Sequence, residues 1–190
     1  MKSRVMTGGV GVRKGADKND FFRTPRVALE SLIANVSHAA IYDDSWIDPC
    51  CGDGVISEFI KEKALGQSIE SYDLVARGYG ESGVDFFLDK QCRRASAIIN
   101  PPFSYAKEFI AHALEIIQGK VYVFVPVRYM ATKWFYELPR PQKIIIMPTK
   151  LDISGGGKGM YEFMWVCWDG IGARLEHDTK IVWANMWNNA

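Results

Sequence analysis

Residues 96–110 read SAIINPPFSYAKEFI, an apolar run that stops at Asn100, Pro101, Pro102 and Phe103 and resumes as a helical pattern. Proline cannot donate to a sheet and fixes its own φ, and a residue that precedes proline is held extended. The kink therefore presents two fixed acceptors at a strand end, the Asn100 side-chain oxygen and the Pro101 carbonyl. Two such acceptors can bind both protons of an NH2 group, draw an aromatic amine's nitrogen toward tetrahedral geometry and free its lone pair for attack. Phe103 adds a flat face on which a base can stack.

Three more segments carry special residues at strand ends. In DPCCGDG (48–54), Asp48 and Pro49 close a strand, and Gly52 and Gly54 open a helix, where the missing Cβ lets backbone approach a ligand. No Lys-Ser/Thr pair follows, so the turn is not a Walker phosphate cradle, and it is not a G-x-G-x-x-G dinucleotide turn. A nucleoside without phosphates fits better, with a cationic amino group near Asp48. In SYDLV (71–75), Asp73 can accept both hydroxyl protons of a ribose. In GVDFF (83–87), Asp85 can accept from an exocyclic amine and Phe86 can stack on a purine.

These residues need a frame that brings strand ends together. Apolar strand patterns fall at SWIDP (45–49), SIESYDL (68–74), SAIIN (96–100), KVYVFVPV (120–127), QKIIIMP (142–148) and MYEFMWVCWD (160–169). Helical spacing is found in 20–40, where Thr24 is placed to cap and Pro25 to begin the helix, and in 53–65, with Gly66 placed to end it. It recurs in 104–118 and 128–138, while the tail 179–190 shows neither period clearly. Strands alternate with helices to about residue 140, and two strands follow in succession. That order implies a mostly parallel α/β sheet with helices on both faces and an antiparallel hairpin at one edge. Ligands of such sheets bind beyond the carboxyl ends of the strands.

Composition bounds the function. A chain of 190 residues suits one domain, read as a flexible basic arm (1–20) and a single domain (21–190). Lys and Arg number 23 against 22 Asp and Glu, so net charge offers no general attraction to nucleic acid and only a local patch would. No apolar run approaches a membrane span, and the polar N-terminus lacks a signal-peptide core. The four cysteines form no CxxC pair and the three histidines are scattered, which argues against disulfides and a metal site and for a reduced, cytoplasmic setting.

Together, DFFRTP (20–25), DPCCGDG, DLVARGYGESGVDFF (73–87) and NPPF (100–103) resemble the motifs of class I S-adenosyl-L-methionine-dependent amino-methyltransferases, chiefly the DNA adenine-N6 enzymes and the small ones carried by phages and prophages. The resemblance implies a Rossmann-like, seven-stranded sheet and direct in-line methyl transfer. It implies that Phe22, Thr24 and Pro25 hold the methionine part of the cofactor and that Asp48, Pro49, Gly52 and Gly54 line its centre. Asp73 would take the ribose, Asp85 and Phe86 the adenine, and Asn100, Pro101, Pro102 and Phe103 the target amine. No cysteine nucleophile is required, and Cys50 and Cys51 are read as packing residues.

Two departures stand out. Asp85 lies only twelve positions after Asp73, too few for the usual helix and strand, so one strand is expected to be vestigial. A length of 190 residues leaves no room for the separate target-recognition domain of the sequence-specific enzymes, so none is expected, and low intrinsic sequence specificity, a homodimer or a specificity-supplying partner is expected instead. Candidate contacts to nucleic acid, either single-stranded or with a flipped base, are the arm (Lys2, Arg4, Arg13, Lys14, Lys18), the segment 128–143 and the loop 155–159. An RNA adenine enzyme, a protein glutamine methyltransferase and an inactive fold kept for binding remain the alternatives.

Overall fold

The computed structural model describes residues 20–43, 45–153, 161–170 and 178–184. The basic arm through residue 19 and the loop 155–159 lie outside the described residues. Eight strands form one sheet: β1 (Ser45–Asp48), β2 (Ser68–Asp73), β3 (Glu81–Ser82), β4 (Ser96–Ile99), β5 (Val121–Pro126), β6 (Lys143–Leu151), β7 (Tyr161–Trp168) and β8 (Lys180–Trp183). Their order is β3-β2-β1-β4-β5-β7-β6-β8. Only β7 runs antiparallel to its neighbours, β5 and β6. The β6–β7 hairpin thus folds back into the sheet rather than hanging on its edge. An eighth strand, β8, drawn from the tail, pairs in parallel with β6.

The central strands are buried on both faces, and alternate residues serve two cores. Trp46, Ile98, Tyr122, Phe124 and Trp165 face α1 (Arg26–Asn35) and α3 (Val55–Glu62). Ile47, Ala97, Ile99, Val121, Val123 and Val125 face α4 (Ala106–Ile116). Among the described residues there are also two short helices, α2 (His38–Ile41) and α5 (Lys133–Tyr136). The buried indoles of Trp46 and Trp165 donate to the carbonyls of Leu65 and Ala28, each at 2.8 Å, so neither carries an unpaired N–H into the core.

Local chemistry moved several boundaries. α1 begins at Arg26 with Pro25 in the capping position and no side-chain cap, because the Thr24 hydroxyl is used elsewhere. α3 ends at Glu62, and the left-handed residue behind it is Ala64 (φ 49) rather than Gly66. The helix expected over 128–138 is broken in two. Thr132 adopts extended backbone and caps Phe135, which leaves a 3-10 turn (Val127–Ala131) and the single turn of α5. The short connection 76–82 yields the two-residue strand β3 and no helix. Among the described residues no helix is long and apolar enough to cross a membrane.

Candidate active site

Parallel strands that leave β1 in opposite directions make a crevice at their carboxyl ends. β1 pairs with β2 on one side and β4 on the other. This puts the turn after Asp48 beside the kink after Ile99, and the Cys50 thiol donates to the Asn100 carbonyl at 3.3 Å. Burial raises the Cys50 thiol pKa well above its ordinary value, so it remains a neutral donor. Cys51, donating to the Tyr79 carbonyl, is pushed up to about 12 by burial. Neither is poised as a thiolate nucleophile.

A cleft of about 780 Å³ opens at this crevice. Asn100 and Pro102 line it from β4, Pro49 and Cys50 from β1, and Asp73, Asp85 and Phe86 from the β2 side. Phe22 and Thr24 enter from the segment 20–24, which lies across the sheet end as a strap. The Asn100 side-chain nitrogen donates to the Phe22 carbonyl at 2.7 Å and to the Thr24 hydroxyl at 2.9 Å. Its oxygen, Oδ1, is buried and has no hydrogen-bond partner. The Pro102 carbonyl accepts from Tyr105, and among the described residues no donor meets the Pro101 carbonyl. The strap is tied further by the Asp20 carboxylate, which accepts from the Ser104 N–H at 2.7 Å, and by an Arg23–Asp53 ion pair at 2.8 Å.

Other residues singled out in the sequence are placed differently. Phe103 does not line the cleft. Its ring is stacked on Phe22 at 4.7 Å and tilted against Phe163 at 5.9 Å, so it offers no open face here. Phe86 is 2% exposed and lies edge-on to His112 at 4.8 Å, held in the core. The cause is local: the Asp85 side chain accepts from the Phe87 N–H and starts a 3-10 turn that drives Phe86 inward. The half-buried neighbour Phe87 also lines the cleft and is the more exposed ring of the two.

Gly52 and Gly54 do adopt the left-handed conformation that glycine tolerates (φ 57 and 86), but this chain's own rings cover them. A Cβ on Gly52 would meet Phe21, and one on Gly54 would meet Tyr79. Gly54 and Pro25 line a separate cavity of about 400 Å³ between α1 and α3. Pro101 is buried and does not line the cleft.

Both Asp73 oxygens accept from backbone, one from Gly52 at 3.0 Å and one from Val75 at 2.8 Å, which fixes the carboxylate at the cleft edge. Exposed Leu74 and Val75 follow it and line the cleft; sequence reasoning passed over them. Their signal was two apolar residues continuing past a strand end. Phe21 and Arg77 were missed as well. The guanidinium lies 4.6 Å over the Phe21 ring, a contact between segments far apart in the chain.

Asp48 is fully buried and turned away from the cleft, so it meets no cationic ligand group. One carboxylate oxygen accepts from the Ser57 hydroxyl at 2.9 Å, and Ser57 bonds Ser71 at 2.8 Å; the other oxygen has no partner. Burial, opposed by the Ser57 hydrogen bond, pushes this carboxyl from 3.8 up to about 7. The folded state therefore binds the proton more tightly than the unfolded chain. Stability from this group is greatest below about pH 4, falls as pH rises to about 7 and is level above. Asp48→Asn should remove that decline, read as melting temperature against pH for the two proteins; parallel curves would contradict it.

No protein-family model matches the sequence, and no curated protein sequence matches it. Solved structures do match the fold. A type I restriction-modification methyltransferase subunit from Streptococcus thermophilus aligns over 86% of this chain and 47% of its own, with TM-score 0.59 and 10% identity. A dimethyladenosine transferase from Plasmodium falciparum aligns over 81% of this chain and 64% of its own (TM-score 0.55, 12% identity). A SAM-dependent O-methyltransferase from Thermotoga maritima aligns over 83% and 68% (TM-score 0.51, 11% identity). The chain thus spans about half the length of the first of these and about two thirds of the other two. At such identities the likeness is one of architecture, and on that basis the chain has the fold of these methyltransferase structures.

Proposed function

We propose that this chain transfers a methyl group from S-adenosyl-L-methionine to the exocyclic N6 amine of adenine in DNA, with sequence specificity that is low or supplied by a partner. One observation carries the reading. The Asn100 amide is held by its nitrogen, which leaves a buried, unpartnered oxygen on a residue that lines the cleft, and the carbonyl of the next residue, Pro101, meets no donor among the described residues. A buried acceptor without a donor is costly, and an NH2 group presented to this pair would satisfy it. The two acceptors would hold both amine protons and expose the nitrogen lone pair, so preorganised hydrogen bonding and alignment lower the barrier.

The cleft suits the cofactor in size and chemistry. Asp73 keeps further lone pairs for ribose hydroxyls. Asp85 sits where it can accept from an amine, and Leu74, Val75 and Phe87 give an apolar wall for a base. When bound there, the cofactor supplies an electrophilic methyl group on a good leaving group. The four cysteines are all free, which favours a reducing compartment such as the cytoplasm of a bacterium or an infected host.

Nucleic acid is favoured over a protein amide by the surface next to the kink. The Tyr129 hydroxyl donates to the Phe103 carbonyl at 3.2 Å, and Arg128 lies over the rings of Tyr129 and Tyr161. Lys133 and Tyr136 are exposed nearby on α5. Cations interleaved with aromatic rings suit a backbone with unstacked bases.

The test is expression in a methylation-free host, followed by mass spectrometry of nucleosides from its DNA and RNA. N6-methyladenine in DNA is expected. N6-methyladenine confined to RNA would reassign the substrate, as would methylglutamine found in digests of the host proteins with no methylated nucleoside beside it. Absence of S-adenosyl-L-methionine binding by the purified chain would leave only a binding module.

A further inference from the structure

The sequence assigns Thr24 to a helix cap and, by resemblance, to the cofactor. Its contacts give it a different task. We propose that Thr24 and the Phe22 carbonyl are positioning groups that set which end of the Asn100 amide is offered to the target amine. The inference rests on the reading that this site handles an amine.

An asparagine side chain has a donor end and an acceptor end of nearly the same shape. Turned by half a rotation, Asn100 would meet an incoming NH2 with its own NH2, donor against donor. The strap forbids that turn. The Phe22 carbonyl can only accept, and it lies 2.7 Å from the amide nitrogen; an oxygen in that place would face another oxygen with no proton between them. The Thr24 hydroxyl, 2.9 Å from the same nitrogen, accepts the second proton. With both protons used, the remaining oxygen is the acceptor by elimination, and it is the atom left without a partner.

The strap has the rigidity this needs. Thr24 is 4% exposed, and Pro25 follows it with φ −64. Asp20 anchors the strap to Ser104, immediately after the kink. The orienting groups and the acceptor are therefore held by the same short loop pair, although they lie 76 and 78 residues apart in the chain.

Thr24→Val keeps the shape and removes the acceptor, and Thr24→Ser keeps the hydroxyl. Asn100→Asp replaces the bound nitrogen with oxygen against the Phe22 carbonyl. In the cofactor-free protein, the side-chain NH2 protons of Asn100 should exchange slowly by NMR. Thr24→Val should speed that exchange by about tenfold, from loss of one of two hydrogen bonds, and Thr24→Ser should restore it. In the assay, Thr24→Val should lower kcat by about tenfold with cofactor Kd within about threefold. Asn100→Asp should lose at least about tenfold in kcat although an acceptor is retained.

Unchanged exchange in Thr24→Val would overturn the proposal, as would a weakened cofactor Kd with kcat intact, which would return Thr24 to the cofactor. If the wild-type chain methylates no amine, the functional reading falls, and the exchange measurement still decides whether the strap orients the amide.

Discussion

Asn100→Ala is expected to cut methyl transfer by about 10²–10³-fold, the loss seen when one preorganised hydrogen-bonding group is removed from a reacting centre. Affinity for S-adenosyl-L-methionine should stay within about threefold. The two readouts separate because Asn100 stands just past the end of β4 at the amine side of the cleft, while Asp73 and the apolar wall stand on β2 and the segment after it. Alanine removes the free acceptor, so an incoming amine keeps only the Pro101 carbonyl. It also leaves the Phe22 carbonyl and the Thr24 hydroxyl without their donor, which loosens the strap and accounts for the small change allowed in cofactor binding. Equal turnover in the variant would remove Asn100 from the chemistry. A loss confined to cofactor affinity would move it to the other half of the site.

The largest stability effect is expected at Trp165. It is fully buried in β7, lies opposite Phe124 in the β5 register with the rings 5.0 Å apart, and donates to the Ala28 carbonyl of α1. Trp165→Ala should cost about 3–5 kcal/mol, the transfer loss plus the cavity left by a ring that its neighbours cannot fill. A domain of this kind has about 5–15 kcal/mol in total, so the variant keeps only part of its folded margin. Trp165→Phe keeps most of the volume and loses the indole hydrogen bond, which should cost about 1–2 kcal/mol. Denaturant midpoints of the two variants read the difference. α1 follows directly on the strap, so the alanine variant should also lose activity before it unfolds. Full activity at reduced stability would separate the core from the site.

Much of the frame could be read from residue patterns. Strands such as VYVFV are buried on both faces and appear as unbroken apolar runs. α4 shows its one buried face through helical spacing. The shortness of 76–82 foretold the reduction of β3 to two residues. The tail was unreadable because β8 lies at a sheet edge, where Ile181 and Trp183 stay exposed and no clear period is imposed. The insertion of β7 between β5 and β6 was equally hidden, since either edge of a hairpin can pair and only packing chooses.

At the site, residue types foretold which strand ends matter, but not which atoms face the cleft. Proline rigidity and the acceptor chemistry of Asn100 belong to the local sequence, because fixed torsions and side-chain lone pairs need no distant partner. The amide's orientation, the covering of Gly52 and Gly54 by Phe21 and Tyr79, the inward turn of Asp48 and Phe86, and the stacking of Phe103 on Phe22 were decided by the fold. Each depends on what arrives from elsewhere in the chain, and a side chain with two possible faces takes the one its neighbours leave it.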